Sequence, residues 1–235
     1  MRGMHFISGP RHTVMDDPAM RPLDHTELDP EEMSARAATF LATMQRRRTT
    51  RHFSDRDVPR GLIEAAIATA GTAPSGAHLQ PWTFVAVQDP DLKRNIRQAA
   101  EAEEQRTYTE RMPDAWREVL APLGTDAIKP HLTDAPWVVV LFQQTKRVRG
   151  NGEIGPTYYA TESCGIAAGL FIAAVHQMGL VTLTHTPSPM RFLGELLDRP
   201  DHERAMLVMP VGYPASDAMV PDIERKSLDD ILIVR

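Results

Sequence analysis

The chain has 235 residues, of which 42% are hydrophobic, enough to bury the core of one domain. Acidic residues outnumber basic ones by 31 to 26, and the formal net charge of −5 argues against a nucleic-acid-binding protein. The single cysteine, Cys164, excludes an intrachain disulfide and is consistent with a reducing compartment.

The N-terminal residues 1–30 are rich in Pro, His and Asp and lack the charged and apolar regions of a signal peptide. We therefore expect a cytoplasmic protein with a loosely ordered arm, followed by a single domain over residues 31–235. The first predicted helix covers residues 31–45.

A basic run follows this helix, with the residues Arg46, Arg47, Arg48, Thr49, Thr50 and Arg51. Guanidinium and hydroxyl groups together bind phosphate oxygens. A solvated basic surface is the alternative interpretation of such a run.

The second predicted helix, residues 60–71, leads into the loop PSGAHLQPW, which begins with Pro74, Ser75, Gly76 and Ala77. Small residues between prolines give a backbone that can lie flat against a planar ligand such as a flavin. A plain surface turn remains the alternative. Ser75 is not predicted to be a nucleophile with His78, three residues later, as its base, because no acid that could orient the histidine is evident.

A strand is predicted over residues 82–88 and a charged helix over residues 90–111. Glu104 and Tyr108 stand four apart in this helix and so share a face, and Lys129 follows 21 residues later. An acid, a phenol and an ammonium group at one place can hold the zwitterion of an amino acid. An ordinary polar helix face is the alternative.

The second half of the chain is predicted to contain strands at 137–142, 180–184 and 206–212 and a long helix at 157–178. Twelve consecutive nonpolar residues within that helix, Cys164 to Val175, are too few to span a bilayer. A helix that is apolar on all sides must be covered on all sides, so we expect a homodimer. In the tail, Glu224-Arg225-Lys226 is a second basic cluster, and one phosphate could join it to the first.

The sequence lacks the motifs of metal sites, nucleotide-binding sites and serine hydrolases. The nine histidines are scattered, without H-E-x-x-H or a Cys/His cluster, so no metal site is predicted. No Rossmann glycine fingerprint, P-loop or G-x-S-x-G motif occurs either.

From about Met33 to the C-terminus, these motifs resemble the FMN-dependent nitroreductase superfamily and, within it, the iodotyrosine deiodinases. The resemblance rests on RRRTTRHFS, TAPSGAHLQPW, EEQRTYTERM, DAIKPHLTDAP, GLVTLTHTP and MPVGYPASDAMVPDIERKSLDDI. It implies an α+β, nitroreductase-like fold, with a central mixed or antiparallel sheet flanked by helices in an intertwined homodimer. It also implies an active-site lid at about residues 100–130 and a flavin at the interface, contacted by both chains.

The resemblance further implies roles for individual residues. Thr186 would be the catalytic donor to the reactive ring nitrogen, the Ala77 N–H would hold the substrate's phenolate, and Glu104, Tyr108 and Lys129 would hold its zwitterion. FMN would be bound by Arg47, Arg48, Thr49, Thr50, Arg51, Pro74, Ser75, Gly76, Thr184, His185, Thr186 and Arg225. The chain departs from the family pattern at His185, usually threonine, and at Ser188-Pro189, usually Leu-Asn.

The expected function is FMN-dependent reductive dehalogenation of mono- or dihalogenated tyrosine, with electrons from NAD(P)H or a reductase. Two alternatives remain open at this point. One is a general NAD(P)H-dependent nitro- or quinone-reductase in which Glu104, Tyr108 and Lys129 are only structural. The other is a flavin-binding sensor that does not turn over.

Overall fold

The computed structural model describes residues 19–148 and 151–235. The chain divides into two compact units, and their boundary, between Thr39 and Phe40, falls inside the first helix. Most of the predicted arm, residues 1–18, lies outside the described residues, and residues 19–29 contain no helix or strand. The single domain over 31–235 stays a prediction.

Seven α-helices and six strands are present in the described parts of the chain. The helices are α1 (Pro30–Gln45), α2 (Arg60–Gly71), α3 (Pro90–Arg106), α4 (Asp114–Leu120), α5 (His131–Asp134), α6 (Ala160–Gln177) and α7 (Arg191–Leu196). The strands are β1 (Trp82–Val87), β2 (Trp137–Gln144), β3 (Lys146–Val148), β4 (Ile154–Pro156), β5 (Val181–Thr182) and β6 (Glu203–Gly212). Short 3₁₀ turns lie at Gly76–His78 and Ala121–Leu123.

The main sheet has the strand order β1-β2-β6-β5, and all its pairings are antiparallel. Its centre is β2, whose first six residues are buried, as an apolar, β-branched run predicts. Val139 and Leu141 pack against α2 and α6, whereas Val138 and Val140 face α3 and α7. Helices therefore cover both faces of the sheet, in agreement with the predicted α+β class.

Helix α6 begins and ends within the predicted range. One of its faces, which includes Cys164 and Phe171, is buried in the core. The other face exposes Gly165, Ile166 and Gly169. The chain itself therefore covers one face of this apolar helix, and the expected cover of the other face by a second subunit stays a prediction. No helix in the described residues is long and apolar enough to cross a membrane.

The charged helix predicted over 90–111 is α-helical only as far as Arg106, and Thr107–Arg111 form a π-helical turn. The hydroxyls of Thr107 and Thr109 donate to the carbonyls of Glu103 and Gln105, at 3.0 and 2.8 Å. Such hydrogen bonds to the preceding turn compete with the backbone ladder and loosen a helix. The predicted helix therefore extends to Arg111, with its last turn in π-helical form, and π-turns are frequent at functional sites.

Candidate active site

A cavity of about 420 Å³ opens where the end of α3, the segment that precedes α5 and the chain after β5 meet. Seven residues predicted from the sequence line it: Arg51, Glu104, Tyr108, Lys129, Thr184, His185 and Thr186. Met112, Trp116 and Leu120 form an apolar wall on the side of the predicted lid. The cavity thus combines polar groups with a surface that suits an aromatic ring.

The acid, the phenol and the ammonium group predicted to act together lie side by side. The Glu104 Oε2 and Lys129 Nζ atoms are 3.5 Å apart, and Lys129 Nζ lies 5.7 Å from the centre of the Tyr108 ring. The Tyr108 hydroxyl donates to the carbonyl of Thr125 at 3.1 Å. The three residues that the sequence grouped therefore lie together in the structure.

Lys129 is 4% exposed, which makes its ammonium group costly to keep charged. Burial lowers the pKa of Lys129, and the carboxylate of Glu104 opposes this effect. Its Nζ also donates to Thr125 Oγ1 at 3.3 Å and to the carbonyl of Asp126. Burial likewise raises the pKa of the Tyr108 phenol. Lys129 and Glu104 are thus desolvated partners that compensate each other's charge.

The threonines after β5 present their side chains to the cavity. Thr184 and Thr186 are exposed. Leu183, which precedes Thr184, and His185, which lies between the two threonines, are buried. The backbone N–H and C=O of His185 bond the C=O and N–H of Val208 in β6, at 2.8 and 2.9 Å. The segment is therefore fixed to the central sheet with Thr186 facing the open side.

A pair of histidines lies behind the cluster, and the sequence indicated only one of them. His185 Nε2 is 2.9 Å from Glu104 Oε1, and the ring of His131 meets that of His185 edge to face at 5.4 Å. His131 Nε2 and His185 Nδ1 are buried and have no hydrogen-bond partner in the described parts of the chain. His131 lies in the DAIKPHLTDAP motif, but no role was predicted for it from the sequence, and the fold of the Lys129-Pro130 segment brings it here.

The two basic clusters of the sequence also meet. Arg225 donates to the carbonyls of Gln45 and Arg47, and Arg48 donates to the carbonyl of Pro221. The pKa of Arg47 is lowered, first by burial and then by the charges of Arg225 and Arg48. Within residues 19–148 and 151–235, no carboxylate forms an ion pair with any of the three arginines. Three neighbouring cations without an acidic partner are suited to a phosphate.

Thr49 and Thr50 connect this arginine cluster with the cavity. Thr49 forms a parallel bridge with Thr182 of β5, and the Thr50 N–H donates to the Thr182 carbonyl at 3.3 Å. Arg51 then lines the cavity. The predicted phosphate-binding segment therefore lies beside the strand that leads to Thr184.

The loop of Pro74, Ser75, Gly76 and Ala77 does not line this cavity. It packs on the start of α6, where Ser163 Oγ accepts from the Gly76 N–H at 3.3 Å. A Cβ at Gly76 would lie 2.6 Å from the Tyr158 carbonyl, so only glycine fits there. Ala77 has a φ of 50°, in the left-handed region, and such strain is concentrated at functional sites. One chain thus brings together only part of the predicted site.

Comparison with known proteins gives the family. The family model described as "Nitroreductase family" matches residues 44–213. Iodotyrosine deiodinase of Haliscomenobacter hydrossis is 51% identical over 217 residues, 92% of this chain and 98% of that protein. The chain belongs to the nitroreductase family, in its iodotyrosine deiodinase branch.

Other members of the branch agree with this assignment. Iodotyrosine deiodinase 1 of Mus musculus is 44% identical over 90% of this chain and 75% of its own length. A crystal structure of oxidized iodotyrosine deiodinase bound to FMN and 3-iodo-L-tyrosine matches with a TM-score of 0.72 and 28% identity, over 83% of this chain and 97% of that one. The nitroreductase-like fold and the resemblance drawn from the motifs are confirmed.

The buried side chain of His131 allows a prediction about how the free energy of unfolding of this protein changes in acid. Burial, chiefly, and the nearby positive charges lower the pKa of His131 from 6.5 to about 3. The unfolded chain takes up a proton at this position below pH 6.5 and the folded chain does not, so stability is lost as the pH falls from 6.5 towards 3. His131→Phe keeps a ring and cannot titrate. Urea unfolding at pH 7 and pH 5 should show a loss about 2 kcal/mol smaller in the variant than in the wild type. Equal losses in both proteins would contradict this pKa.

Proposed function

We propose that the protein is an FMN-dependent oxidoreductase that converts mono- or dihalogenated tyrosine to tyrosine and halide. The observation that carries the proposal is the cluster of Glu104, Tyr108 and Lys129 in one cavity beside Thr184 and Thr186. The relatives point to the same substrate class, since they are iodotyrosine deiodinases and 3-iodo-L-tyrosine is bound in one of their structures.

The residues of this chain fit FMN. Arg47, Arg48 and Arg225 would hold the terminal phosphate, because they form a cluster of cations that pairs with no carboxylate among the described residues. Thr49, Thr50 and Arg51 would continue this site towards the ring, beside Thr184, His185 and Thr186. When bound, FMN supplies the two electrons that, with a proton, replace the carbon–halogen bond by carbon–hydrogen as halide leaves.

When substrate binds, Glu104 and Lys129 exchange their contact with each other for contacts with the substrate. In the described structure Glu104 and Lys129 compensate each other. An amino-acid zwitterion brings an ammonium group for Glu104 and a carboxylate for Lys129, so both charges stay paired when the cavity closes. Tyr108 borders both groups, and Met112 and Trp116 exclude water from the substrate ring. Thr186, which lines the cavity, would donate its hydroxyl hydrogen to the flavin ring.

The remaining part of the site comes from a second copy of the chain. Pro74, Ser75, Gly76 and Ala77 lie outside the cavity of their own chain, and α6 exposes Gly165, Ile166 and Gly169. We infer that α6 packs on a second subunit and that its PSGA loop reaches that subunit's flavin. The Ala77 N–H would then hold the phenolate oxygen.

A prediction about assembly follows from this arrangement. The protein should run in light scattering at about twice 26.2 kDa, and dilution should release flavin together with dissociation of the subunits. A monomer that holds FMN tightly would contradict the shared site.

A second candidate is a general NAD(P)H-dependent reductase of nitroaromatics or quinones. The wall of Met112, Trp116 and Leu120 favours it, because such a surface accepts any flat aromatic molecule. Titration of the purified, FMN-loaded protein with 3-iodotyrosine, followed by flavin fluorescence, decides between the two. Saturable quenching and dithionite-driven deiodination support the deiodinase, whereas turnover of nitroaromatics without any response to 3-iodotyrosine supports the reductase.

The electron source and the compartment belong to the proposal as well. We propose that NAD(P)H or a separate reductase reduces the flavin in the cytoplasm. Consumption of NAD(P)H during deiodination by the purified protein alone would distinguish direct reduction from reduction by a second protein.

A further inference from the structure

His185 contacts both the central sheet, at β6, and the carboxylate of Glu104. Its backbone is held on β6 by both hydrogen bonds with Val208, and its Nε2 atom reaches Glu104 Oε1 at 2.9 Å. Glu104 lies near the C-terminal end of α3, directly before the π-turn that leads to the lid. One side chain therefore connects the rigid sheet with the acid that faces the substrate.

The direction of this hydrogen bond follows from the chemistry of the two groups. An ionised carboxylate only accepts, so the Nε2 atom of His185 carries the hydrogen and donates it. The His185 side chain is buried, and a donor fixed in this way cannot be replaced by bulk water. His131 packs edge-on against the ring and restricts its rotation.

The two oxygens of Glu104 thereby have separate partners. Oε1 is taken by His185, while Oε2 lies 3.5 Å from Lys129 Nζ, a longer contact that a ligand can replace. Without His185 the carboxylate could turn so that both oxygens bond Lys129. Its orientation towards an incoming ammonium group would then be lost.

We propose that His185 is a positioning residue: it holds the Glu104 carboxylate with one oxygen free for the substrate's ammonium group and so makes the site selective for amino-acid substrates over simple phenols. This inference rests on the proposed function. It concerns how a residue acts through Glu104, and it requires no contact between His185 and the substrate.

The test compares His185→Phe, which keeps a ring and loses the donor, with His185→Gln, whose amide can donate. In FMN-loaded protein, His185→Phe should raise the KM for 3-iodotyrosine about tenfold to hundredfold, the range for a hydrogen bond to a charged group, with kcat little changed. His185→Gln should recover most of the loss. Binding of 2-iodophenol, which has no amino group, should be the same in all three proteins. The matched control is His202→Phe, at a histidine outside the cavity, and it should behave as the wild type.

A double-mutant cycle separates positioning from a merely structural role. If His185 acts through Glu104, then His185→Phe should add no further loss of affinity in a Glu104→Leu background, where the acceptor is gone. Additive losses, or a loss of kcat with unchanged KM, would overturn the proposal. Failure of His185→Gln to recover any of the loss would also count against it.

A measurement without substrate keeps this result distinct from the proposed function. Nitrogen-15 NMR of the imidazole should show the Nε2–H tautomer of His185 in the wild type and a loss of this preference in Glu104→Leu, which has no acceptor. An unchanged tautomer would overturn the positioning contact. If the wild type fails to bind 3-iodotyrosine, the proposed function and the selectivity claim both fail, and the NMR result alone decides whether His185 orients Glu104.

Discussion

Lys129→Ala and Glu104→Ala should each reduce the affinity for 3-iodotyrosine by about thirtyfold to several thousandfold. Lys129 is 4% exposed and Glu104 lies 3.5 Å from it, so either truncation leaves the charge of the substrate buried and without its partner. Truncating one member of such a pair costs roughly 2–5 kcal/mol, and each 1.4 kcal/mol is a factor of ten. Flavin fluorescence titration gives the dissociation constants, and dithionite-driven deiodination gives kcat/KM.

The controls for this prediction use substrates and a milder variant. Both alanine variants should keep FMN and should still reduce small uncharged nitroaromatics, because the proposed flavin contacts lie elsewhere. Tyr108→Phe should lose less, since the ring remains and only the hydrogen bond to Thr125 is removed. Wild-type activity of both alanine variants on 3-iodotyrosine would refute the zwitterion site.

Arg47→Ala, Arg48→Ala and Arg225→Ala should each weaken FMN binding by about 1.5–3 kcal/mol, roughly tenfold to a hundredfold. The three guanidiniums are close enough for two of them to lower the pKa of the third, and a phosphate would relieve this repulsion. Equilibrium dialysis against free FMN measures the effect, which should shrink at high salt. Recovery of FAD instead of FMN from the purified protein would overturn the assignment.

Arg191→Ala is the matched control for the arginine variants. Arg191 is exposed and pairs only loosely with Glu195, at 3.6 Å, so its loss should leave FMN binding unchanged. Because Arg48 and Arg225 also donate to backbone carbonyls, thermal unfolding without flavin should accompany each titration. If all three cluster variants bind FMN as the wild type does, the phosphate site is wrong.

Patterns that are local in the sequence predicted the fold well. The apolar run over β2 predicts a buried strand, and the structure buries its first six residues. The apolar length of α6 predicts cover on every side, whereas the chain itself buries only one face of that helix. The Glu104–Tyr108 spacing is also local, since one helical turn decides it. Lys129 was predicted from the family resemblance, and its approach to Glu104 depends on the turn around Gly124.

The features that sequence could not supply depend on tertiary contacts. His131 lies beside His185 because α5 and the segment after β5 converge, and the DAIKPHLTDAP motif that contains His131 does not indicate this contact. The π-turn arises from threonine side chains that compete with backbone bonds, a balance that apolar periodicity does not report. The separation of the PSGA loop from the cavity follows from the packing of Gly76 against Tyr158, which is far away in the sequence.

The π-turn over Thr107–Arg111 contains one residue more than an α-helical turn. The reason is that each backbone hydrogen bond of a π-helix spans one residue more than that of an α-helix. Removal of one residue there would return the chain to α-helical pitch and rotate everything after it by about 100° around the helix axis. Met112 and Trp116 would swing away from the cavity, while Glu104, one turn earlier, would keep its place. Insertions and deletions in this turn, more than substitutions, should therefore move the apolar wall of the cavity without displacing Glu104.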